Sequence, residues 1–274
     1  MSPLWRDRLH IALCPDKVVI VRLGKGLRPA VVGKHQLHCD PAPGMPAWFA
    51  AVNALMQWLT EAKPKKADVV VVLSNHLVRY GVLPWTEAID NAEEDLAFAR
   101  IHFEKVYGDV AGQWALRISD APYECPRIAS AVDQELLDGL NDILSKASLR
   151  LASVQPYLMA AFNASGKRLE GQSGLFVLIE PGKACLTRIA DGKCLDVKSA
   201  LLQSEVSQDL TELLNREMLM AELDANAKIF LHAAEFPKLD LAGKVSATIQ
   251  GLPPHGKPAA RAEGQFGMAL SGAA

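Results

Sequence analysis

Short apolar runs punctuated by turn-forming residues follow one another along the chain, and their order mixes strands with helices. Residues 9–13, 17–23 and 30–38 read as three consecutive strands, joined by Cys14-Pro15-Asp16 and by a Gly/Pro-containing loop at 24–29. Trp48, Val52, Leu55 and Leu59 then recur at helical spacing, predicting a helix over 47–62 that Pro64 closes. Asp68-Val-Val-Val-Val-Leu73 is apolar on both faces, as a strand at a sheet's centre must be, and residues 74–85 read as a further strand. A helix over 91–106 has Glu93, Glu94 and Asp95 in its first turn, where the helix dipole favours acids. Strands at 114–119 and 127–132, a helix at 133–148, a strand at 149–154 and a helix at 156–165 complete this half. The Gly-rich stretch 166–174 reads as a linker. Beyond it come strands near 175–180, 184–190 and 193–198, a helix at 204–220, a strand at 228–232 and a last strand at 245–249. Each block opens with a hairpin-like triplet of strands, predicting an internally duplicated α/β protein.

Half of the 274 residues are hydrophobic, enough for a substantial core, and the formal net charge of −2 argues against a protein whose main task is gripping nucleic acid. Lys63-Pro64-Lys65-Lys66 is a small basic cluster that reads as a solvated turn after a helix, with a membrane-surface role as the alternative. Cys14, Cys39, Cys125, Cys185 and Cys194 form no CxxC pair, and alternation puts His35 and His38 on opposite strand faces, so no metal site is expected. No apolar run approaches the roughly 20 residues of a membrane-spanning helix. The sequence holds no P-loop, HExxH, GxSxG or dinucleotide fingerprint, and no catalytic residue is proposed from it. The expectation from these features is a soluble, cytoplasmic protein.

Three phrases carry a family resemblance. Asp68-Val-Val-Val-Val-Leu-Ser-Asn-His-Leu-Val-Arg-Tyr-Gly-Val-Leu-Pro-Trp85 with its Glu-rich helix, Leu149-Arg-Leu-Ala-Ser-Val-Gln-Pro-Tyr-Leu-Met-Ala-Ala-Phe162, and Gln265-Phe-Gly-Met-Ala-Leu270 together resemble the actin-like assembly proteins of bacterial inner-membrane machines. These are PilM of type IV pili and the cytoplasmic part of GspL in type II secretion. The resemblance implies a two-lobed actin-like ATPase (ribonuclease H-like) α/β fold. It implies a first lobe over 1–165 with a small inserted subdomain at about 68–120, and a second lobe over 166–274 whose final helix, about 262–270, returns to the first.

In nucleotide-binding relatives the resemblance implies a carboxylate in the first hairpin turn, a Gly-rich second turn whose N–H groups reach phosphates, and Gly-Gly after a late strand. The corresponding stretches here are Cys14-Pro15-Asp16-Lys17, Glu180-Pro181-Gly182-Lys183 and His232-Ala233-Ala234, and all three depart from that pattern. The expectation is therefore a non-catalytic adaptor that takes no cofactor. The resemblance implies that it lies peripherally at the inner-membrane face, with the cytoplasmic tail of a single-span inner-membrane protein and a motor ATPase as partners. The alternative is an ATP-binding enzyme, an ATPase or phosphotransferase, using Asp16, Lys17, Gly182 and Lys183 with ATP and Mg. Aromatic residues cluster in the insert, and Arg79, Tyr80, Trp85 and Arg100 are the expected peptide-contacting set.

Overall fold

A computed structural model describes residues 6–26, 29–89, 91–203, 205–221, 227–253 and 264–272. Strands β1 (Asp7–Leu13) and β2 (Lys17–Leu23) form a hairpin extended antiparallel by β3 (Val31–His38). After helix α1 (Phe49–Ala62), strand β4 (Ala67–Leu73) pairs parallel to β1, and β8 (Arg150–Pro156) pairs parallel to β4. The five-stranded order is β3-β2-β1-β4-β8. The wiring then repeats. Strands β9 (Gly174–Glu180) and β10 (Lys183–Ala190) form a hairpin, with the short strands β11 (Lys193–Cys194) and β12 (Lys198–Leu201) antiparallel to β10. After helix α6 (Val206–Met220), β13 (Lys228–His232) pairs parallel to β9, and β14 (Thr248–Leu252) parallel to β13.

Alternation along the strands divides the core. Leu9, Ile11 and Leu13 of β1 and Val69, Val71 and Leu73 of β4 face α1 and helix α3 (Gln134–Lys146), burying Leu55, Leu136 and Leu140. The opposite faces, carrying Ala12, Val19, Val21 and Val72, meet Phe176, Leu178 and Phe230 of the second sheet in one shared core. Helix α4 (Tyr157–Ala164) lies in that shared layer, and α6 covers the outer face of the second sheet.

A third sheet, in the order β5-β7-β6, is built from β5 (Arg79–Leu83), β6 (Trp114–Ile118) and β7 (Arg127–Asp133). Helix α2 (Ala92–Tyr107) packs on it through Ala99 and Phe103 against Leu83 and Trp114. Asn91 caps α2, its side-chain oxygen accepting from the N–H groups of Glu93 and Glu94 at 3.0 Å each.

The structure corrects four readings of the sequence. The expected insert at 68–120 is displaced at both ends: residues 68–73 belong to β4, hydrogen-bonded between β1 and β8, and β7, past residue 120, is the middle strand of the small sheet. Residues 74–85 are not one strand, because a 3-10 turn over Asn75–Leu77 interrupts them, with Ser74 Oγ accepting from His76 N–H. The expected linker starts as a helical turn, α5 (Gly166–Leu169), which buries Leu169. The last strand of the second sheet is Thr248–Leu252; Val245 is instead a core residue packed near α6, and a turn-rich stretch precedes it.

Residues 264–272 cross the shared core. A 3-10 turn over Gly264–Phe266 leads into α7 (Gly267–Ser271), which lies on β1, β2 and β4; residues 262 and 263 of the expected final helix fall outside the described residues. Phe266, Met268 and Leu270 are buried, and Cys14 Sγ donates to Met268 Sδ at 3.7 Å. The approach is so close at Gly272 that an added Cβ would meet Val72 at 2.8 Å and Val70 at 2.9 Å. Leu270→Ala is expected to cost ~2–5 kcal/mol of unfolding free energy in urea titrations, the range for a buried leucine that leaves a cavity. A loss below about 1 kcal/mol, ordinary for surface sites, would show that α7 is not integral to the core.

Candidate functional site

Both hairpin turns point into one cleft between the sheets. The first is Pro15-Asp16, closed by Cys14 N–H donating to the Lys17 carbonyl at 2.9 Å; the second is Pro181-Gly182, with Glu180 and Lys183 in register. Pro181 sets the first turn position, and Gly182 supplies the positive φ of 77° that the second requires. Facing them is the 3-10 turn after β4, whose buried Ser74 and Asn75 interrupt an otherwise apolar strand-to-strand passage.

Glu180 is 2% exposed. Its Oε2 accepts from Ser74 Oγ at 2.7 Å and its Oε1 from Asn75 N–H at 2.8 Å. Burial raises its pKa above the ordinary glutamate value, while these two donors and the nearby His76 pull the other way and lose. The Asn75 side-chain oxygen accepts from Tyr80 OH at 2.6 Å and from Leu158 N–H at 3.2 Å, tying β5 and α4 to the same point. Lys183 Nζ donates to the Asn75 carbonyl at 2.7 Å. His76 Nε2 lies 2.9 Å from the Pro181 carbonyl, which can only accept, so that nitrogen carries the proton. On the other wall Lys17 is ion-paired with Glu235, two positions beyond Ala233. Burial works against the charged amine, but the hydrogen bond and charge of Glu235 outweigh it and hold its pKa above the ordinary lysine value. His232 is fully buried beside Tyr157, its Nε2 3.1 Å from the phenol oxygen.

The turns, Ser74, His76 and Glu235 leave a cavity of about 210 Å³. Drug-sized ligands occupy pockets of about 300–1,000 Å³. Of the sequence-expected set, Lys17, Gly182 and Lys183 do converge here, Asp16 is exposed at the rim, and both lysine side chains are held by groups of the chain itself. Ser74, Asn75 and Glu235 were not expected. Among the described residues, no group of three or more His, Cys, Asp or Glu side chains could hold a metal ion.

Sequence comparison gives no match: no family model fits the chain, and no curated protein resembles it. Solved structures do. A PilM–PilN type IV pilus biogenesis complex superposes with a TM-score of 0.69 at 17% identity, covering 96% of this chain and 96% of that one. The cytoplasmic domain of EpsL, an inner-membrane component of the type II secretion system of Vibrio cholerae, gives 0.61 at 14% identity, covering 97% and 94%. A Bacteroides thetaiotaomicron protein with an actin-like ATPase fold and unknown function gives 0.59 at 12% identity, covering 98% and 96%. The fold is actin-like. The resemblance to PilM and GspL carried by the three sequence phrases therefore holds at the level of the fold.

The four residues expected to contact a peptide do not form one surface in this actin-like chain. Tyr80 points inward, half-buried between two cores with its hydroxyl on Asn75. Arg79, on the other face of β5, lies 4.1 Å over the Trp114 ring and 3.7 Å from Asp133. Arg100 donates to the Ala111 carbonyl within the insert. Only Trp85 remains an aromatic at the surface, meeting Tyr123 edge-on at 5.1 Å; Tyr123 is 73% exposed. A groove of about 490 Å³, which neither ring lines, runs between the insert and α4, its walls mixing Ile118, Ile128 and Met159 with Arg117, Asp120 and Ser130. Among the described residues β6 pairs with β7 alone, so its other edge is open beside that groove.

Glu180 generates a pH prediction. Its native pKa is raised, so the native state binds the proton more tightly than the unfolded chain does, and stability falls as pH rises from the unfolded value of about 4.5 through the native one. Glu180→Gln keeps an oxygen for Asn75 N–H and cannot ionise. It is expected to fold and to flatten this part of the stability–pH curve. Equal slopes for the two proteins in denaturant titrations across weakly acid to neutral pH would refute the assignment.

Proposed function

We propose that this protein is a non-catalytic adaptor of a type IV pilus or type II secretion inner-membrane platform. It works at the cytoplasmic face and binds the tail of a membrane protein. One observation carries the non-catalytic half: Lys17 and Lys183, the two turn lysines able to reach a phosphate, are spent on Glu235 and on the Asn75 carbonyl. The remaining cleft does not fit a nucleotide with its Mg. His76 lies 3.6 Å from where a Cβ on Gly182 would stand, a fully buried His232 rather than a glycine ends β13, and the carboxylates Glu180 and Glu235 are already partnered.

The partner half is supported by the fold shared with PilM, solved as a PilM–PilN complex, and with the cytoplasmic domain of EpsL. It is supported also by the unpaired edge of β6, next to a groove of mixed polar and apolar lining, an arrangement to which an extended tail can add as a further strand. Among the described residues no helix is long and apolar enough to cross a membrane. A motor ATPase is the second partner of this reading.

Mg-ATP is expected to leave the melting curve unchanged. A ligand at 100-fold excess over its Kd would stabilise the fold by about 2.7 kcal/mol, so a shift of that size, abolished by Lys183→Ala, would return the protein to the ATP-binding class. Trp85→Ala removes a half-buried ring outside the cores and is expected to cost less than the ~3–5 kcal/mol of a core tryptophan, while weakening co-purification of a single-span membrane protein from membrane extracts. Undiminished co-purification, or no such protein recovered with the wild type, would remove the insert from the docking surface.

A further inference from the structure

The basic turn at Lys63-Pro64-Lys65-Lys66 plays no part in the cleft or the insert. It leads into the N-terminal end of β4, and the topology brings other cations to the same end of the first sheet. Arg8 of β1 is in register with Asp68 of β4, and Asp68 with Arg150 of β8. Arg6 precedes β1. Neighbouring strands are about 4.8 Å apart, so the N-terminal ends of β1, β4 and β8 present their cations in a row roughly 10 Å wide. The acids at this end do not balance them. Asp68 is buried, bound by Arg150 at 2.9 and 2.7 Å and by Arg6 at 3.5 Å, which lowers its pKa; Asp7 is paired with Arg22, Asp142 with Lys146, and Glu61 remains in the last turn of α1. Among the described residues, Lys63, Lys65 and Lys66 have no ion-pair partner, and all three are exposed. The chain as a whole is acidic, with a formal charge of −2, so this excess is a local asymmetry.

We infer that this end of the first lobe docks on an anionic lipid surface. The cations stand side by side along the end of a sheet rather than across a slot, which complements diffuse surface charge. Recognition of a carboxylate-bearing peptide favours forked guanidinium donors, and Arg6 and Arg150 have theirs committed to Asp68. Beside the lysines, Met56 is 45% exposed, and with Leu59, Pro64 and Ile143 it lines a shallow apolar depression of about 470 Å³. An apolar patch ringed by lysines is the pattern of side chains resting at a headgroup layer. The cleft lies at the other end of the same strands: β4 runs from Ala67 here to Leu73 beneath Ser74, about 20 Å at 3.3 Å per residue. Docked this way, the protein would hold its cleft away from the bilayer.

Flotation of the purified full chain with vesicles tests the inference, without any protein partner present, so failure leaves the adaptor reading untouched and failure of that reading leaves this one. Binding is expected to vesicles of phosphatidylethanolamine with phosphatidylglycerol and not to phosphatidylcholine alone, and added salt should release it. Each lysine near an anionic surface contributes about a factor of five, so K63Q/K65Q/K66Q should lower the partition coefficient on the order of 100-fold at an unchanged melting temperature. Equal flotation with neutral lipid, no flotation with anionic lipid, or wild-type flotation by the triple variant each overturns it. Absence of flotation together with lysine-dependent binding of poly-glutamate would replace the lipid by an acidic protein partner.

Discussion

A carboxylate buried at the tip of β9 must find donors or take up a proton, because a charge removed from water without partners is prohibitively costly. Glu180 finds its donors across the cleft, in the hydroxyl of Ser74 and the amide of Asn75. Those two residues end β4 of the first sheet, so the requirement of one side chain in the second lobe fixes the position of a turn in the first. Asn75 passes the constraint on. Its oxygen holds Tyr80 at the entry of the insert and the first turn of α4, and its carbonyl holds Lys183. Removing one partner would strand a buried polar group, which costs more than the bond itself contributes.

The same network accounts for the chemistry of the cleft. An actin-like fold brings two hairpin turns together by its duplicated wiring, whatever residues those turns contain. In this chain the converging groups satisfy one another: a lysine with a glutamate, a lysine with a carbonyl, a carboxylate with two donors. A ligand phosphate would have to displace each of these contacts, and the low dielectric that would strengthen its binding equally strengthens the contacts already made.

Periodicity made most of the fold legible. The both-faced apolar run at 69–73 announced a central strand, and the acids after Asn91 announced the start of α2. The insert boundary was not legible, because β7 pairs with β5, 44 to 52 positions earlier, and its own pattern, Arg-Ile-Ala-Ser-Ala-Val-Asp, is indifferent to which sheet receives it. At the cleft, both lysines and Gly182 could be read from the turns themselves. Their partners could not, since Asn75 lies 108 positions from Lys183 and Glu235 lies 218 from Lys17. Ser74-Asn75 did leave a signal: an uncharged polar pair following directly on a buried apolar strand is costly there unless it is used. The expected peptide-contacting set is dispersed for a related reason, because aromatic and arginine side chains in a small subdomain are first needed by its own core, as Arg79 over Trp114 illustrates.

Residues 264–272 supply part of the core to which β1 contributes, and Cys14 meets Met268 across 254 positions of sequence. During synthesis the first lobe can pair its strands early, yet Ala12, Val21 and Val72 lack their cover until the far downstream segment has been made. Until then that lobe is a sheet with one finished face and one sticky one, a species that invites chaperone capture or self-association. The order of assembly is thus written into the chain: the part translated first is among the last to be completed.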